Sequence, residues 1–145
     1  MAIRVNKPRS LETTGEIVDL LFELVGRMRA HLERTVERFD LSPPQALALL
    51  QLDRPLPMRH LAQHLRCDAS NVTGIVDRLE ARGLVERRVD RADRRIKNLV
   101  LTRPGTVLRA RLRRSLLQDA PALTSLSAKD QRALRDLLTR ALAAP

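Results

Sequence analysis

The sequence contains no tryptophan and no tyrosine, and only two phenylalanines, Phe22 and Phe39. RNA-recognition sheets and single-strand-binding barrels stack bases on such rings, so their scarcity argues against both. The single cysteine, Cys67, excludes an internal disulfide framework. The longest uninterrupted apolar run, Ala46 to Leu50, is far too short to span a membrane. The N-terminal residues lack the apolar core of a signal peptide, so a cytoplasmic protein with no membrane partner is expected. Three histidines, one cysteine and no glycine-rich phosphate loop supply neither a nucleophile–base set nor a cofactor fingerprint. No enzymatic activity and no cofactor are therefore expected.

What the chain has in excess is positive charge. Its 145 residues hold 27 Lys+Arg against 17 Asp+Glu, a net charge of +10. The length suits one compact domain or a small domain with dimerisation extensions. The charge is unevenly spread: Arg54 to Arg114 carries 16 basic and 6 acidic residues, while the rest of the chain is neutral. A basic stretch of this kind points to a polyanion, and without aromatic stacking platforms duplex DNA is the better candidate.

Hydrophobic periodicity divides the chain into helices. Ile17, Leu21, Leu24, Met28, Leu32, Val36 and Phe39 form one stripe of a helix of about seven turns. Ser42-Pro43-Pro44-Gln45 reads as a capped helix start, and the nearly all-apolar Ala46 to Leu52 that follows is a short buried helix ended by Arg54-Pro55-Leu56-Pro57. Met58 to Arg66 forms a third helix with Met58, Leu61, Ala62 and Leu65 inward. After the tight connection Cys67-Asp68-Ala69, a fourth helix capped by Asp68 or Ser70 runs to about Arg82, with Val72, Ile75, Val76 and Leu79 on one face. Gly83 suits the left-handed position past its end. Leu84 to Val89 and Ile96 to Leu101 form a hairpin whose tip, Asp90 to Arg95, holds three arginines and two aspartates. Thr102 caps a fifth helix striped by Leu108, Leu112 and Leu116. Pro121 interrupts the chain, and Ser127-Ala128-Lys129-Asp130 starts a last helix with Leu134, Leu137, Leu138, Ala141 and Leu142.

Two helices joined by a short turn and followed by a hairpin make a winged helix-turn-helix. The fold class is thus mainly α with a small β-hairpin wing, flanked by N- and C-terminal dimerisation helices. The expected organisation is a flexible arm over 1–10, a dimerisation helix over 11–41 and the DNA-binding domain over 42–103, with C-terminal dimerisation helices over 104–145. Within the DNA-binding domain the recognition helix covers about 69–82 and the wing about 84–101.

Groove dimensions then assign side chains. The major groove, about 12 Å wide, accepts one helix. The fourth helix leaves Ser70, Asn71, Thr73, Gly74, Asp77 and Arg78 outward. Asn71 can read adenine by a bidentate contact, and Arg78 can reach guanine or phosphate. Gly74 costs helix stability, about 1 kcal/mol relative to Ala, and its return is close approach of the backbone to DNA or to a neighbouring element. The wing tip, with Arg91, Arg94 and Arg95, is narrow enough for a minor groove. Arg59, Arg66, Arg87 and Arg88 are candidate phosphate contacts.

These residues together resemble the MarR (multiple antibiotic resistance regulator) family of bacterial transcription factors, most closely from Leu61 to Gly105. The run Asp68 to Glu80 is similar to the family's recognition helix, and Gly83-Leu84-Val85 to the start of its wing. Asp93-Arg94-Arg95, followed after five residues by Leu101-Thr102, matches the wing signature D-x-R-x5-L-T, and Gly105 matches the glycine that follows it. The resemblance implies a homodimer that binds a pseudo-palindromic double-stranded operator, usually as a repressor, and is released by a small aromatic or phenolic effector. It further implies that Arg94 is the minor-groove residue and that Arg95 pairs with Asp77 to orient the wing. Arg27, Met28 and His31 become the candidate effector cleft.

Two tempting features carry less. The family's peroxide sensors place their reactive cysteine in the first helix, whereas Cys67 precedes the recognition helix, where a small residue fits a tight turn. A thiol switch at Cys67 is accordingly the lesser alternative. His60, His64 and Cys67, spaced i, i+4 and i+7, could share a face and hold a metal such as zinc, but no further histidine lies nearby, and no metal is expected. The rival functional readings are an architectural DNA-binding protein of low sequence specificity and a helical module that binds an acidic protein through its arginines.

Overall fold

The computed structural model describes residues 9–143 except 91–92, 119 and 121. The arm expected over 1–10 falls largely outside this range, and helix α1 is already formed at Arg9. The elements are α1 (Arg9–Glu37), α2 (Pro43–Gln51), β1 (Leu56–Pro57), α3 (Met58–Leu65), α4 (Ala69–Ala81), β2 (Val85–Val89), β3 (Lys97–Leu101), α5 (Arg103–Gln118) and α6 (Ala128–Ala143). They fall into two compact units. One runs from Leu32 through α5; the other holds the earlier part of α1 together with α6.

The first unit is the winged head. Its core is formed by Val36 of α1, Ala46, Ala48 and Leu49 of α2, Leu61 of α3, Val72, Val76 and Leu79 of α4, Leu99 of β3 and Leu112 of α5. Each is essentially removed from water, which stabilises the head by about 1.5–3 kcal/mol per large aliphatic side chain. Leu108 and Leu116 of α5 pack against the same cluster, so the α5 stripe serves the head.

Local chemistry sets the helix ends. Ser42 Oγ accepts from the Gln45 backbone N–H at 3.4 Å, and Gln45 Oε1 accepts from the Ser42 N–H at 2.9 Å, completing the expected capping box. Asp68 occupies the N-cap of α4, although its side chain makes no capping hydrogen bond. At the other end of α4, Gly83 adopts φ +65, with Leu84 N–H bonded to Leu79 C=O at 3.0 Å and Gly83 N–H to Glu80 C=O at 2.8 Å. That pair of bonds is a Schellman close, for which glycine is the favoured residue. α3 and α1 end in the same way, but with Arg66 (φ 48) and Asp40 (φ 52) in the left-handed position.

The sheet has order β1-β3-β2, all antiparallel, with Val85 opposite Leu101 and Val89 opposite Lys97. The two-residue strand β1, where the sequence suggested only a helix end, pairs Leu56 with Leu99 and Pro57 with Asn98. Two residues are too few to display a strand period, and proline is tolerated there because β1 is an edge. Thr102 joins the wing to α5. Its hydroxyl donates to Gly83 C=O at 2.6 Å and accepts from Gly105 N–H at 3.1 Å, while its own N–H bonds Leu84 C=O at 3.1 Å.

That junction is what requires glycine at 105: a Cβ there would lie 1.9 Å from Leu84 O. Gly74, in contrast, faces open space. Gly105→Ala is therefore expected to lower the thermal midpoint, at a cost of about 1–3 kcal/mol. Gly74→Ala should leave it unchanged or raise it, by up to about 1 kcal/mol. An unaltered midpoint for Gly105→Ala would contradict the close approach.

Candidate nucleic-acid interface

Helix α4 is anchored by Val72, Val76 and Leu79, which leaves Ser70, Asn71, Thr73, Gly74, Asp77 and Arg78 exposed, as the period required. The side chains of Ser70, Asn71 and Arg78 have no partner among the described residues, so their donors and acceptors face outward. The Thr73 hydroxyl donates to Ala69 C=O at 3.0 Å, which leaves its lone pairs able to accept. Asn71, Gly74 and Arg78 form one side of an open cleft of about 420 Å³ whose other side includes Pro44 and Leu47 of α2. Among the described residues nothing lies within 4 Å of where a Gly74 Cβ would stand, which speaks against the neighbouring-element alternative within this chain.

The wing is organised by its acidic residues. Asp90 Oδ1 accepts from the Asp93 N–H at 3.1 Å, Asp90 Oδ2 from Asn98 Nδ2 at 2.7 Å, and Asp93 Oδ1 from the Arg95 N–H at 2.9 Å. Asp90 N–H and Ile96 C=O close the hairpin at 2.9 Å. Thus the two aspartates of the tip bind backbone and hold the turn, while Arg94 and Arg95 are exposed. Arg91 lies outside the described residues.

The wing is fastened to α4 by a residue other than the expected one. Arg87 Nη2 donates to Asp77 Oδ1 at 2.5 Å, its Nη1 pairs with Glu80 Oε2, and its backbone N–H donates to Glu80 Oε1 at 3.3 Å. Arg87 is three-quarters buried at its side chain. Hence Asp77 is held by Arg87 and not by Arg95, and Arg87 is not a free phosphate contact. Strand alternation explains the exchange and could have revealed it. On β2, Arg87 shares the face of buried Val85, whereas Arg88 is on the opposite face, where it pairs with Glu86. Arg95 has no acidic partner among the described residues.

The remaining predicted positions are distributed as follows. Arg59 on α3 and Arg66 at its end are exposed and carry no described ion pair. His60, His64 and Cys67 do not share a helical face, because α3 ends at Leu65 and Arg66, at φ 48, turns Cys67 away from the helix. Among the described residues no group of three or more His, Cys, Asp or Glu could hold a metal. In the other unit Arg27 is ion-paired with Glu23 one turn earlier, Met28 is exposed and His31 is half-buried.

The sequence also gave no hint of three arginines that bond protein. Arg82 donates to the carbonyls of Phe39 and Asp40, Arg109 to Leu50 C=O at 3.3–3.4 Å, and Arg111 lies 5.9 Å from the centre of the Phe39 ring. No helix among the described residues is long and apolar enough to cross a membrane.

If Arg87 fastens the wing, Arg87→Met should accelerate amide hydrogen exchange along β2 and β3 by roughly two- to fivefold, the scale of a partly exposed ion-pair network. Arg95→Met should not. Faster exchange in the Arg95 variant alone would restore the Asp77–Arg95 assignment.

Residues 39–96 match the model of the MarR family. The HTH-type transcriptional regulator TtmR of Methylorubrum extorquens (strain PA1) is 33% identical over 101 residues, which cover 68% of this chain and 51% of that protein. The chain thus spans about half the length of this curated relative. The crystal structure of the transcriptional regulator PA3341 is 30% identical, with a TM-score of 0.76 over 88% of this chain and 96% of that one. A MarR-family transcriptional regulator from Silicibacter pomeroyi is 26% identical, with a TM-score of 0.72 over 86% of each chain. Head, wing signature and relatives agree, and the chain belongs to the MarR family of transcriptional regulators.

Proposed function

We propose that this protein is a homodimeric, sequence-specific reader of duplex DNA that regulates transcription, as a repressor relieved by a small aromatic or phenolic effector. The observation that carries the reading is the outward face of α4. Ser70, Asn71 and Arg78 are exposed and without a partner among the described residues, beside a wing fastened by Arg87, in the stretch that holds the whole net charge of +10. Base edges are read by such short polar side chains, while surrounding arginines position the duplex through its phosphates. Arg94 and Arg95 supply the wing's contact in the minor groove, and Arg59, Arg66 and Arg88 supply phosphate contacts. Arg88 gives up its exposed pairing with Glu86 at little cost.

Dimerisation is supported by apolar side chains left in water by the single chain. On α1, Ile17, Leu21, Phe22, Val25 and Met28 are exposed, Phe22 by 74%; on α6, Leu137, Leu138 and Leu142 are exposed, Leu142 by 85%. Apolar patches of this extent mark association surfaces. A second copy of the chain covers them and pairs two wings with two half-sites about one helical turn apart. Arg27, Met28 and His31 on the same helix are the proposed effector-binding positions.

Affinity for a duplex recovered by in vitro selection should fall linearly on a log–log salt plot, with a slope of about 0.9 per phosphate contacted. It should exceed affinity for a random duplex. Equal affinities would favour the architectural reading, and salt-insensitive or absent binding would favour the acidic-protein module. Arg94→Ala should weaken binding by about 1–3 kcal/mol, and unchanged affinity would remove its minor-groove role. Sedimentation equilibrium should give twice the 16.4 kDa chain mass, whereas a stable monomer would contradict the dimer.

A further inference from the structure

The C-terminus of the recognition helix is tied to the C-terminus of α1. Arg82, the C-cap residue of α4, reaches back 42 residues, where Nη1 donates to Asp40 C=O and Nη2 to Phe39 C=O at 3.3 Å. Those carbonyls belong to the Schellman close of α1, in which Leu41 N–H bonds Val36 C=O at 3.2 Å and Asp40 N–H bonds Glu37 C=O at 3.1 Å. The last carbonyls of a helix have no partner within it and carry the negative end of its dipole. Of the two acceptors, Phe39 C=O belongs to that set as the C-cap, while Asp40 follows it in the left-handed turn; a guanidinium fork reaches both at once. Asp40 holds the left-handed turn at φ 52, a position that favours glycine. Its carboxylate is fully exposed and 3.9 Å from Arg82, so the two carbonyls make the closer contact.

The same end of α1 is gripped from a third helix: Arg111 of α5 lies over the ring of Phe39, the residue whose carbonyl Arg82 binds. On α4 itself, apolar anchoring stops at Leu79, and beyond it the chain turns at Gly83 into the wing. Arg82 is therefore the polar tie that sets where the last turn of the recognition helix sits against α1.

We propose that Arg82 is a positioning residue for DNA reading. It touches no DNA, and by fixing the C-terminal turn of α4 on the carbonyls of Phe39 and Asp40 it sets the angle at which Ser70, Asn71 and Arg78 are presented to the groove. Arg78, four residues earlier, faces the duplex; Arg82 faces the protein. This inference rests on the DNA-binding reading above.

The test uses the full chain, a duplex selected in vitro against the wild-type protein, and a random duplex, below the thermal midpoint of each variant. Arg82→Gln keeps length and loses the fork. Its affinity for the selected duplex should fall about tenfold, with affinity for the random duplex and the salt slope both unchanged. Asp40→Asn should bind as the wild type, because the carbonyls and not the carboxylate hold Arg82. Wild-type affinity of Arg82→Gln for the selected duplex would overturn the proposal, as would a slope reduced by about 0.9, the mark of a lost phosphate contact. If Arg82→Gln is unfolded, Arg82→Lys decides, since it keeps the charge but not the fork. A loss of about threefold at constant slope supports the proposal and wild-type affinity overturns it. A wild-type protein without salt-sensitive DNA binding refutes the DNA reading itself, an outcome separate from failure of the Arg82 variants.

Discussion

The grip of Arg87 on Asp77 and Glu80 is the interaction on which the geometry of the head depends. A two-stranded ribbon has little stability of its own, and the third strand beside it, β1, has only two residues. By engaging two carboxylates one turn apart on α4, Arg87 makes wing and recognition helix one piece. Glu80 strengthens this by also accepting the Arg87 backbone N–H. At the far end of the ribbon, Thr102 performs the equivalent task with neutral groups, bonding the carbonyls of Gly83 and Leu84 and capping α5.

This arrangement changes the meaning of the basic excess. Within Arg54–Arg114, Arg82, Arg87, Arg109 and Arg111 are engaged with carboxylates, helix-terminal carbonyls or an aromatic ring. Arg59, Arg66, Arg78, Arg94 and Arg95 are exposed and have no described acidic partner. The first group shapes the head, and the second is available to phosphate and base. Charge density alone cannot separate them, because both groups are arginine and lie within one stretch of chain. Partner identity does, since Arg82 and Arg111 are themselves exposed.

Much of this was legible in the sequence. The 3.6-residue stripes, the Ser42–Gln45 capping box and the glycine at 83 located the helices, and the wing signature located the hairpin. The outward face of α4 followed directly from the buried positions Val72, Val76 and Leu79. What failed had physical causes. Strand β1 is too short to show a period. The face that His60, His64 and Cys67 could have shared does not form, because Arg66 takes a left-handed conformation that few non-glycine residues adopt. Asp77 found Arg87 instead of Arg95 because pairing depends on which face of β2 a side chain occupies, a distinction the motif alone does not make. The bonds of Arg82 and Arg109 to distant carbonyls leave no local pattern at all.

The central claim, that the arginines divide into those that build the head and those that meet DNA, is tested most directly by arginine footprinting. Phenylglyoxal modification of the free and DNA-bound protein, read by mass spectrometry, measures each side chain separately. The account predicts that Arg78, Arg94 and Arg95 react readily in the free protein and are protected by duplex DNA. Arg87 and Arg82 should react slowly in both states. Rapid modification of Arg87 in the free protein, or Arg94 left unprotected by bound DNA, would contradict it.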